Sequence, residues 1–186
     1  MSELYQQFES SSEISSLPMV AMLSGFSDSG SVIGQLSDHF FSSLKHELVV
    51  RFDNDELLDY RSRRPTLFFE KDHIESYEPA TLAIYLVWGE AGQPFLLLDG
   101  YEPDMRWEAF ARSVVRFCEA YDVQSFTWVH AIPFPIPHTR PTGITVSGNR
   151  EDMITRFSEW KPQTQVPGNV IHLLEYRLGE AGFDTA

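Results

Sequence analysis

The pattern that most constrains this fold is a strand, a tight turn, a helix and a second strand near the start of the chain. Residues 19–25 (MVAMLSG) form a short apolar run bounded by turn residues, as expected of a strand buried on both faces. Residues 31–46 follow with an apolar stripe at helical spacing, formed by Val32, Ile33, Leu36, Phe40 and Leu44. Residues 48–52 then read as a second strand. This order favours a parallel sheet with helices packed on its faces.

The rest of the chain continues the alternation of strands and helices. Further strands are predicted at residues 66–69, 82–88, 95–98 and 126–131, and amphipathic helices at residues 105–121 and 170–178. The proline-rich residues 133–141 predict a stiff loop. A length of 186 residues suits one domain, so we expect a flexible Ser-rich tail over residues 1–18 and a single α/β domain over residues 19–186. Because the pattern calls for another strand after the last helix, we expect this domain to be truncated at its C-terminus.

Charge and composition narrow the classes of partner. The formal net charge of −13 would repel phosphate backbones and anionic membranes, so neither nucleic acid nor membrane is predicted as a partner. No apolar run reaches the ~18 residues of a membrane-spanning helix. No basic residue precedes Lys45, so the N-terminus lacks the charged region of a signal peptide. We therefore expect a cytoplasmic protein, in which the single Cys118 fills core space in its amphipathic helix.

The turn after the first strand, residues 25–30 (GFSDSG), is the best local candidate for chemistry. It lacks the lysine of a phosphate loop, and Asp28 would oppose an anion there. The first five residues approximate a nucleophile elbow at Ser27, with Asp99 and His138 following in hydrolase order, although the final glycine is missing. Helix capping alone explains Asp28.

A second candidate is the charged segment at residues 53–64, which places four acids beside three arginines. It is not a calcium loop, because Leu58 takes the glycine position and Arg64 replaces the terminal glutamate. One interpretation is an ion-pair network that orders a long loop. The other is functional: an arginine pairs with Asp28 at the strand ends, or a displayed arginine clamps the carboxylate of a partner.

The histidines show no metal-binding spacing, and neither a metal nor a cofactor is predicted. His138 lies in the segment Pro137-His138-Thr139-Arg140-Pro141, where the prolines could hold imidazole and guanidinium in a preset pose. The alternative is a solvated loop histidine.

Several motifs taken together resemble one known family. They are residues 25–30 (GFSDSG), 52–65 (FDNDELLDYRSRRP), 96–107 (LLLDGYEPDMRW), 137–141 (PHTRP), 166–168 (VPG) and 176–182 (YRLGEAG). Their order is similar to that of the proteasome assembly chaperone 2 (PAC2) family, in its actinobacterial branch, over about residues 19–182. Phe26, Ser27 and Ser29 depart from the family's first turn, Gly-Trp-Asn-Asp-Ala-Gly, which argues against a required serine nucleophile.

The resemblance implies an α/β/α sandwich with a mixed, largely parallel sheet, similar to the purine nucleoside phosphorylase type. It also implies homo-oligomers, often trimers, and a role in binding other proteins such as proteasome components. The candidate binding residues, expected to share a cleft at the strand ends, are Asp28, Asp55, Asp59, Arg61, Arg64, Glu102, His138 and Arg140. No catalytic residue is assigned. The alternatives are a small-molecule-binding protein or hydrolase-like enzyme using the same cleft, and a purely structural subunit.

Overall fold

A six-stranded mixed sheet forms the centre of the computed structural model, which describes residues 4–161 and 163–186. The strands are β1 (Tyr5–Gln7), β2 (Pro18–Ser24), β3 (Lys45–Phe52), β4 (Thr66–Glu70), β5 (His73–Glu78), β6 (Leu82–Trp88), β7 (Pro94–Tyr101) and β8 (Ser125–Trp128). The helices are α1 (Val32–Ser43), α2 (Asn54–Leu57), α3 (Trp107–Ala120), α4 (Glu151–Phe157) and α5 (Val170–Glu180), and a single 3₁₀ turn spans Ser29–Ser31. Strands β4 and β5 form a separate hairpin. None of the helices in the described residues is long and apolar enough to cross a bilayer.

The order of the central sheet is β1-β3-β6-β7-β2-β8. Strand β2 pairs in parallel with β7 and β8, whereas the other three pairings are antiparallel. Strands β2, β3, β7 and β8 thus run in one direction, and the predicted mixed sheet is confirmed. Its parallel part is smaller than the pattern suggests, because β6 and β7 lie between β2 and β3 and separate the two strands of the predicted βαβ unit.

Helices cover both faces of the sheet and confirm the predicted sandwich. On one face Ile33 of α1 packs against Met22, Val87 and Leu97. On the other face α3 and α5 pack side by side and bury their apolar stripes, formed by Phe110, Val114, Phe117 and Cys118 in α3 and by Leu174 and Leu178 in α5. These stripes follow the helical spacing read from the sequence, so burial of the apolar sheet faces sets the three-layer arrangement.

The segment expected to be a flexible tail, residues 1–18, contains an ordered strand in its described part, residues 4–18. Strand β1 pairs antiparallel with β3, and the ring of Tyr5 meets that of Phe52 edge-on at 5.6 Å between centroids. Leu4 and Ile14 are buried in the main core. The sequence pattern does not predict this strand, because it is only three residues long and lies on a sheet edge, where polar side chains are tolerated.

The last residues of the chain pair with β8. The backbone N–H of Ala186 donates to the carbonyl of Phe126 at 3.0 Å, and the N–H of Trp128 donates to the carbonyl of Ala186 at 2.9 Å. Thr185 and Phe126 form a parallel bridge. Gly148 lies against this segment with φ +97°, and a Cβ there would be 2.2 Å from the carbonyl oxygen of Thr185. A single parallel bridge thus joins the segment after α5 to β8 within the described residues.

Candidate functional site

The carboxyl ends of the parallel strands β2, β7 and β8 meet the start of α5 and form a small cleft. Its cavity volume is about 10 Å³, and Gly25, Phe26, Glu102, His130 and Asn169 contribute to its lining. This is the edge at which open α/β sheets collect their ligands. Its volume is below that of most small-molecule sites.

Glu102, which follows β7, holds this edge of the sheet together by hydrogen bonds. Its Oε1 accepts a hydrogen bond from the backbone N–H of Val170 at 2.8 Å, in the first turn of α5. Its own backbone N–H donates to the carbonyl of Ser24. A Cβ on Gly25 would stand 2.5 Å from Oε2 of Glu102, so only glycine leaves room for this carboxylate. Glu102 therefore joins three elements and satisfies a free donor at a helix N-terminus.

Asn169 and His172 close the first turn of α5 by a reciprocal pair of hydrogen bonds. The side-chain oxygen of Asn169 accepts from the N–H of His172 at 2.9 Å, and Nδ1 of His172 accepts from the N–H of Asn169 at 3.2 Å. Burial lowers the pKa of His172, and nearby His130 lowers it further against the opposing effect of Glu175. A neutral imidazole is what the accepting Nδ1 requires.

The sequence analysis did not select the aromatic and histidine group beside this cap. Trp128 meets the ring of His172 edge-on, at 5.0 Å between centroids, and lies tilted against the ring of His130 at 5.9 Å. Its indole N–H donates to Glu175 at 2.6 Å. Ser147 donates to the same carboxylate oxygen. One signal was available: His130 lies near the carboxyl end of the predicted strand at residues 126–131, at the edge where β2 and β7 end. His172 and Glu175 gave no such signal, because both lie inside a helix.

Asp28 caps the start of helix α1, which is one of the two roles that the sequence analysis considers for it. Its Oδ1 accepts from the N–H of Ile33 at 2.9 Å and its Oδ2 from the N–H of Gly34 at 3.3 Å, at the start of α1. No arginine pairs with Asp28 among the described residues. Both oxygens are thus engaged by backbone donors, as the macrodipole of a helix favours.

The hydrolase-like set Ser27, Asp99 and His138 is not assembled within the described residues. The hydroxyl of Ser27 donates to the carbonyl of Ala131 at 3.4 Å. Asp99 is bonded to Ser37 of α1, on the sheet face that α1 covers. His138 is exposed on the proline-rich loop. A serine nucleophile needs a base within hydrogen-bond reach, and no such contact to Ser27 is present here.

The charged segment forms an ion-pair network with the loop after β7. The N–H of Asp59 donates to Asp104 at 2.8 Å, and Arg63 pairs with the same aspartate at 3.4 Å. Arg106 pairs with Glu56. These contacts match the predicted network that orders a long loop, and they bring the segment to the end of β7 near Glu102.

Two of the predicted binding residues, Asp55 and Asp59, accept hydrogen bonds from other residues of this segment. Asp55 accepts from the hydroxyl of Tyr60 at 2.8 Å, and this bond raises the pKa of Tyr60 to about 12. Oδ1 of Asp59 accepts from the N–H of Arg61 at 3.0 Å. Both carboxylates are thus engaged within the segment.

The family assignment comes from a match over most of the chain. Residues 22–186 match the model of the PAC2 family. The chain belongs to the PAC2 family. None of the curated proteins matches it.

Two solved structures cover nearly all of this PAC2 chain. One is a protein of unknown function from Corynebacterium glutamicum, which is 33% identical with a TM-score of 0.91 over 99% of this chain and 70% of its own. The other is a Mycobacterium tuberculosis protein of unknown function, which is 36% identical with a TM-score of 0.90 over 100% of this chain and 66% of its own. The PAC2 chain thus spans about two thirds of the length of these structures.

A third structure shows the same fold at greater distance. It is a Mycobacterium tuberculosis protein described as a proteasome-assembly chaperone homologue, 20% identical with a TM-score of 0.81 over 91% of this chain and 72% of its own. This likeness supports the fold that the PAC2 resemblance implied.

The remaining candidate residues of this PAC2 chain are cations or a histidine on exposed loops. The side chain of Arg61 is 88% exposed and reaches Asp59 only at 3.7 Å. Arg64, His138 and Arg140 are exposed, and none of their side chains has a hydrogen bond or ion pair among the described residues. Of the eight predicted residues, Glu102 is the one that lines the cleft within the described part of the chain.

The β4–β5 hairpin of the PAC2 chain carries an exposed apolar surface. Leu67 pairs with Tyr77 and Phe69 with Ile74 across the two strands. Cross-strand partners share a face, and so do residues two apart in one strand, so these four side chains lie together; we call them the hairpin face. Their exposures are 50%, 54%, 64% and 56% for Leu67, Tyr77, Phe69 and Ile74. Phe68, on the opposite side of β4, is also exposed.

Proposed function

We propose that this chain is a homo-oligomeric, protein-binding subunit whose role resembles that of a proteasome assembly chaperone. The observation that carries the proposal is the hairpin face. Four large apolar side chains stand half exposed on a hairpin of two strands, and such patches on soluble proteins mark surfaces that another protein covers. The second support is membership of the PAC2 family.

The strand-end cleft favours protein binding over small-molecule chemistry. Glu102 and Asn169, which line it, are bonded to backbone groups of α5, and Asp28 beside it caps α1. A ligand would have to displace these bonds, and each displaced buried group would lose about 1–3 kcal/mol. We therefore assign the candidate residues at this edge to holding the loops and helices in place.

The proposed partner is a component of the proteasome. One structural relative is described as a proteasome-assembly chaperone homologue, and proteasome assembly takes place in the cytoplasm, where we propose that this chain acts. A trimer is the assembly that the family resemblance implies, and the molar mass of the purified protein tests it.

The test combines the purified protein with proteasome α and β subunits of an actinobacterium. We expect a complex of defined mass on native gels and in light scattering. Replacing Phe69 by serine should weaken this complex at least about tenfold, since exposed aromatics in such patches are typical hot spots. Ile144→Ser is the matched control, because Ile144 is 53% exposed but lies outside the hairpin.

Two outcomes would contradict the proposal. One is the absence of any complex with either type of subunit. The other is equal weakening by Phe69→Ser and Ile144→Ser, which would show that the hairpin face has no specific role.

A further inference from the structure

A second exposed apolar surface lies on the segments between β8 and α5, outside the β4–β5 hairpin. The rings of Phe134 and Trp160 meet at a tilt with their centroids 5.5 Å apart, and their exposures are 53% and 46%. Ile136 and Ile144 are 37% and 53% exposed. We call these four side chains the loop surface.

Contacts between the two segments hold the loop surface together. The N–H of Glu159 donates to the carbonyl of Ile144 at 2.9 Å, which brings the residue before Trp160 against the first segment. A Cβ on Gly143 would lie 3.9 Å from Cδ1 of Ile136 and 3.1 Å from Oε2 of Glu159. The four apolar side chains therefore lie on one continuous surface.

Prolines keep the first segment extended and its side chains exposed. Ile132, Phe134 and Ile136 each precede a proline, and a residue in that position is held in an extended conformation. The prolines also lack the N–H that a helix or a central strand requires. The segment thus cannot bury its apolar side chains by joining a helix or the sheet, and its stiff backbone loses little entropy when a partner binds.

Few carboxylates lie along the loop surface, although the protein is acidic. The chain has 27 aspartates and glutamates, and residues 123–150 have none. Arg140 lies on the first segment, and its exposed side chain makes no hydrogen bond or ion pair among the described residues. Lys161, next to Trp160, is also exposed and unpaired within the described chain. Glu159, on the other side of Trp160, is the carboxylate that borders the surface. The surface therefore complements a ligand in which apolar groups alternate with carboxylates.

We propose that the loop surface binds a flexible segment of a partner protein in which apolar side chains alternate with carboxylates. The apolar side chains of this segment cover Phe134 and Trp160, and one of its carboxylates pairs with Arg140. Because the prolines offer no N–H groups, side chains carry the recognition and strand addition does not. The inference goes beyond the proposed function, since it concerns another surface and a partner defined by different chemistry.

The size of the loop surface fits a short segment better than a folded subunit. About half of four large side chains is exposed, which gives about 400 Å² if each offers about 200 Å² when free. With an equal area on the partner, the contact buries about 800 Å², less than the about 1,200 Å² of a stable complex. A second copy of this chain would need a larger contact than this surface provides.

The net charge of −13 does not prevent an acidic segment from binding here. At physiological salt, charges are screened beyond about 8 Å. The attraction at contact therefore depends on the nearest groups, which on this surface are Arg140, Lys161 and the single carboxylate of Glu159. Replacing Arg140 by glutamate should change binding much more than the same charge reversal at a distant site.

The experiment uses a short fluorescent peptide in which aspartate alternates with leucine and phenylalanine, and binding is measured by fluorescence anisotropy at physiological salt. The native protein should bind it with a Kd of about 10–100 μM, as suits a contact of this size. Arg140→Glu and Phe134→Ser should each weaken binding about tenfold. A peptide with asparagine in place of every aspartate should bind about tenfold more weakly and should not respond to Arg140→Glu.

Two variants outside the loop surface are matched controls. Arg61→Glu makes the same change of net charge at a side chain that is 88% exposed, and it should leave peptide binding unchanged. Phe69→Ser removes an aromatic ring that is 64% exposed on the hairpin face, and it should also have no effect. All substituted positions are exposed, so the variants should keep the native urea midpoint, which confirms that they are folded.

Three outcomes would overturn the inference: no binding of the aspartate peptide below about 1 mM, equal binding of the asparagine peptide, or equal effects of Arg140→Glu and Arg61→Glu. A fall in the mass of the native assembly on Phe134→Ser, without peptide binding, would instead assign the surface to a second copy and also refute the proposal. The proteasome complex is measured on the same samples. Ile144→Ser should weaken the peptide but not that complex, and Phe69→Ser should do the reverse. If the peptide binds as expected and no proteasome subunit does, the proposed function fails and this inference stands.

Discussion

Replacing Asp99 by asparagine should stabilise this protein at neutral pH. Asp99 lies on β7 between Met22 of β2 and Ala83 of β6, on the face that α1 covers. Burial raises the pKa of its carboxyl to about 6, the hydroxyl of Ser37 opposes the rise, and Asp38 adds to it. The folded state therefore binds this proton more tightly than the unfolded chain, in which an aspartate has a pKa of 3.8.

The sign and size of the effect follow from these two values. Below pH 3.8 both states hold the proton and Asp99 costs nothing. Between pH 3.8 and about 6 the unfolded chain loses its proton first, so the free energy of unfolding falls as the pH rises. Above pH 6 the full cost of a buried carboxylate is present, about 3 kcal/mol at most. Because Asp99 is partly exposed, we expect about 2 kcal/mol.

The assay is urea unfolding at pH 4.5 and pH 7.5, followed by tryptophan fluorescence. Asp99→Asn should raise the free energy of unfolding by about 2 kcal/mol at pH 7.5 and by about a third of that at pH 4.5. Asp38→Asn, on the exposed side of α1, should change it by less than about 0.5 kcal/mol. A gain that is equal at both pH values, or no gain at pH 7.5, would refute burial as the cause.

Two further predictions concern Glu102 and Cys118. Glu102→Gln keeps an acceptor for the N–H of Val170 and should lower the free energy of unfolding by about 1 kcal/mol in urea unfolding. Glu102→Ala removes the acceptor and should lower it by about 2–3 kcal/mol. Equal stability of the native protein and both variants would contradict the capping role. Burial raises the pKa of the Cys118 thiol to about 12, so a thiol reagent should modify Cys118 at pH 8 only after urea unfolds the protein, and rapid labelling of the native protein would count against its burial.

Much of the fold could be predicted because its strands and helices have strong periodic patterns. The apolar runs at β2, β6 and β7 and the stripe of α3 lie within a few residues of their predicted positions. The neighbours in the sheet could not be predicted in the same way. The pattern favours adjacent parallel strands β2 and β3, yet the β6–β7 pair lies between them, since strand order depends on which faces become buried together.

The candidate site was predicted less well, because capping residues and binding residues are chemically alike. Asp28 and Glu102 were selected as polar groups at strand ends, and their oxygens accept from the first turns of α1 and α5. His130 and His172 were passed over, since no metal motif includes them. The hairpin face was missed because β5, with Glu75 and Glu78, has no apolar run.

The β6–β7 pair has a consequence for how the sheet is assembled during folding. Within the described part of the central sheet, these are the only paired strands that follow one another directly in the chain, and a five-residue loop joins them. Pairing β2 with β7, for example Met19 with Leu96, closes a loop of some seventy residues. Closing so long a loop is slow relative to forming a hairpin. The antiparallel pair is thus placed to form early and to serve as the template on which the parallel half of the sheet is completed.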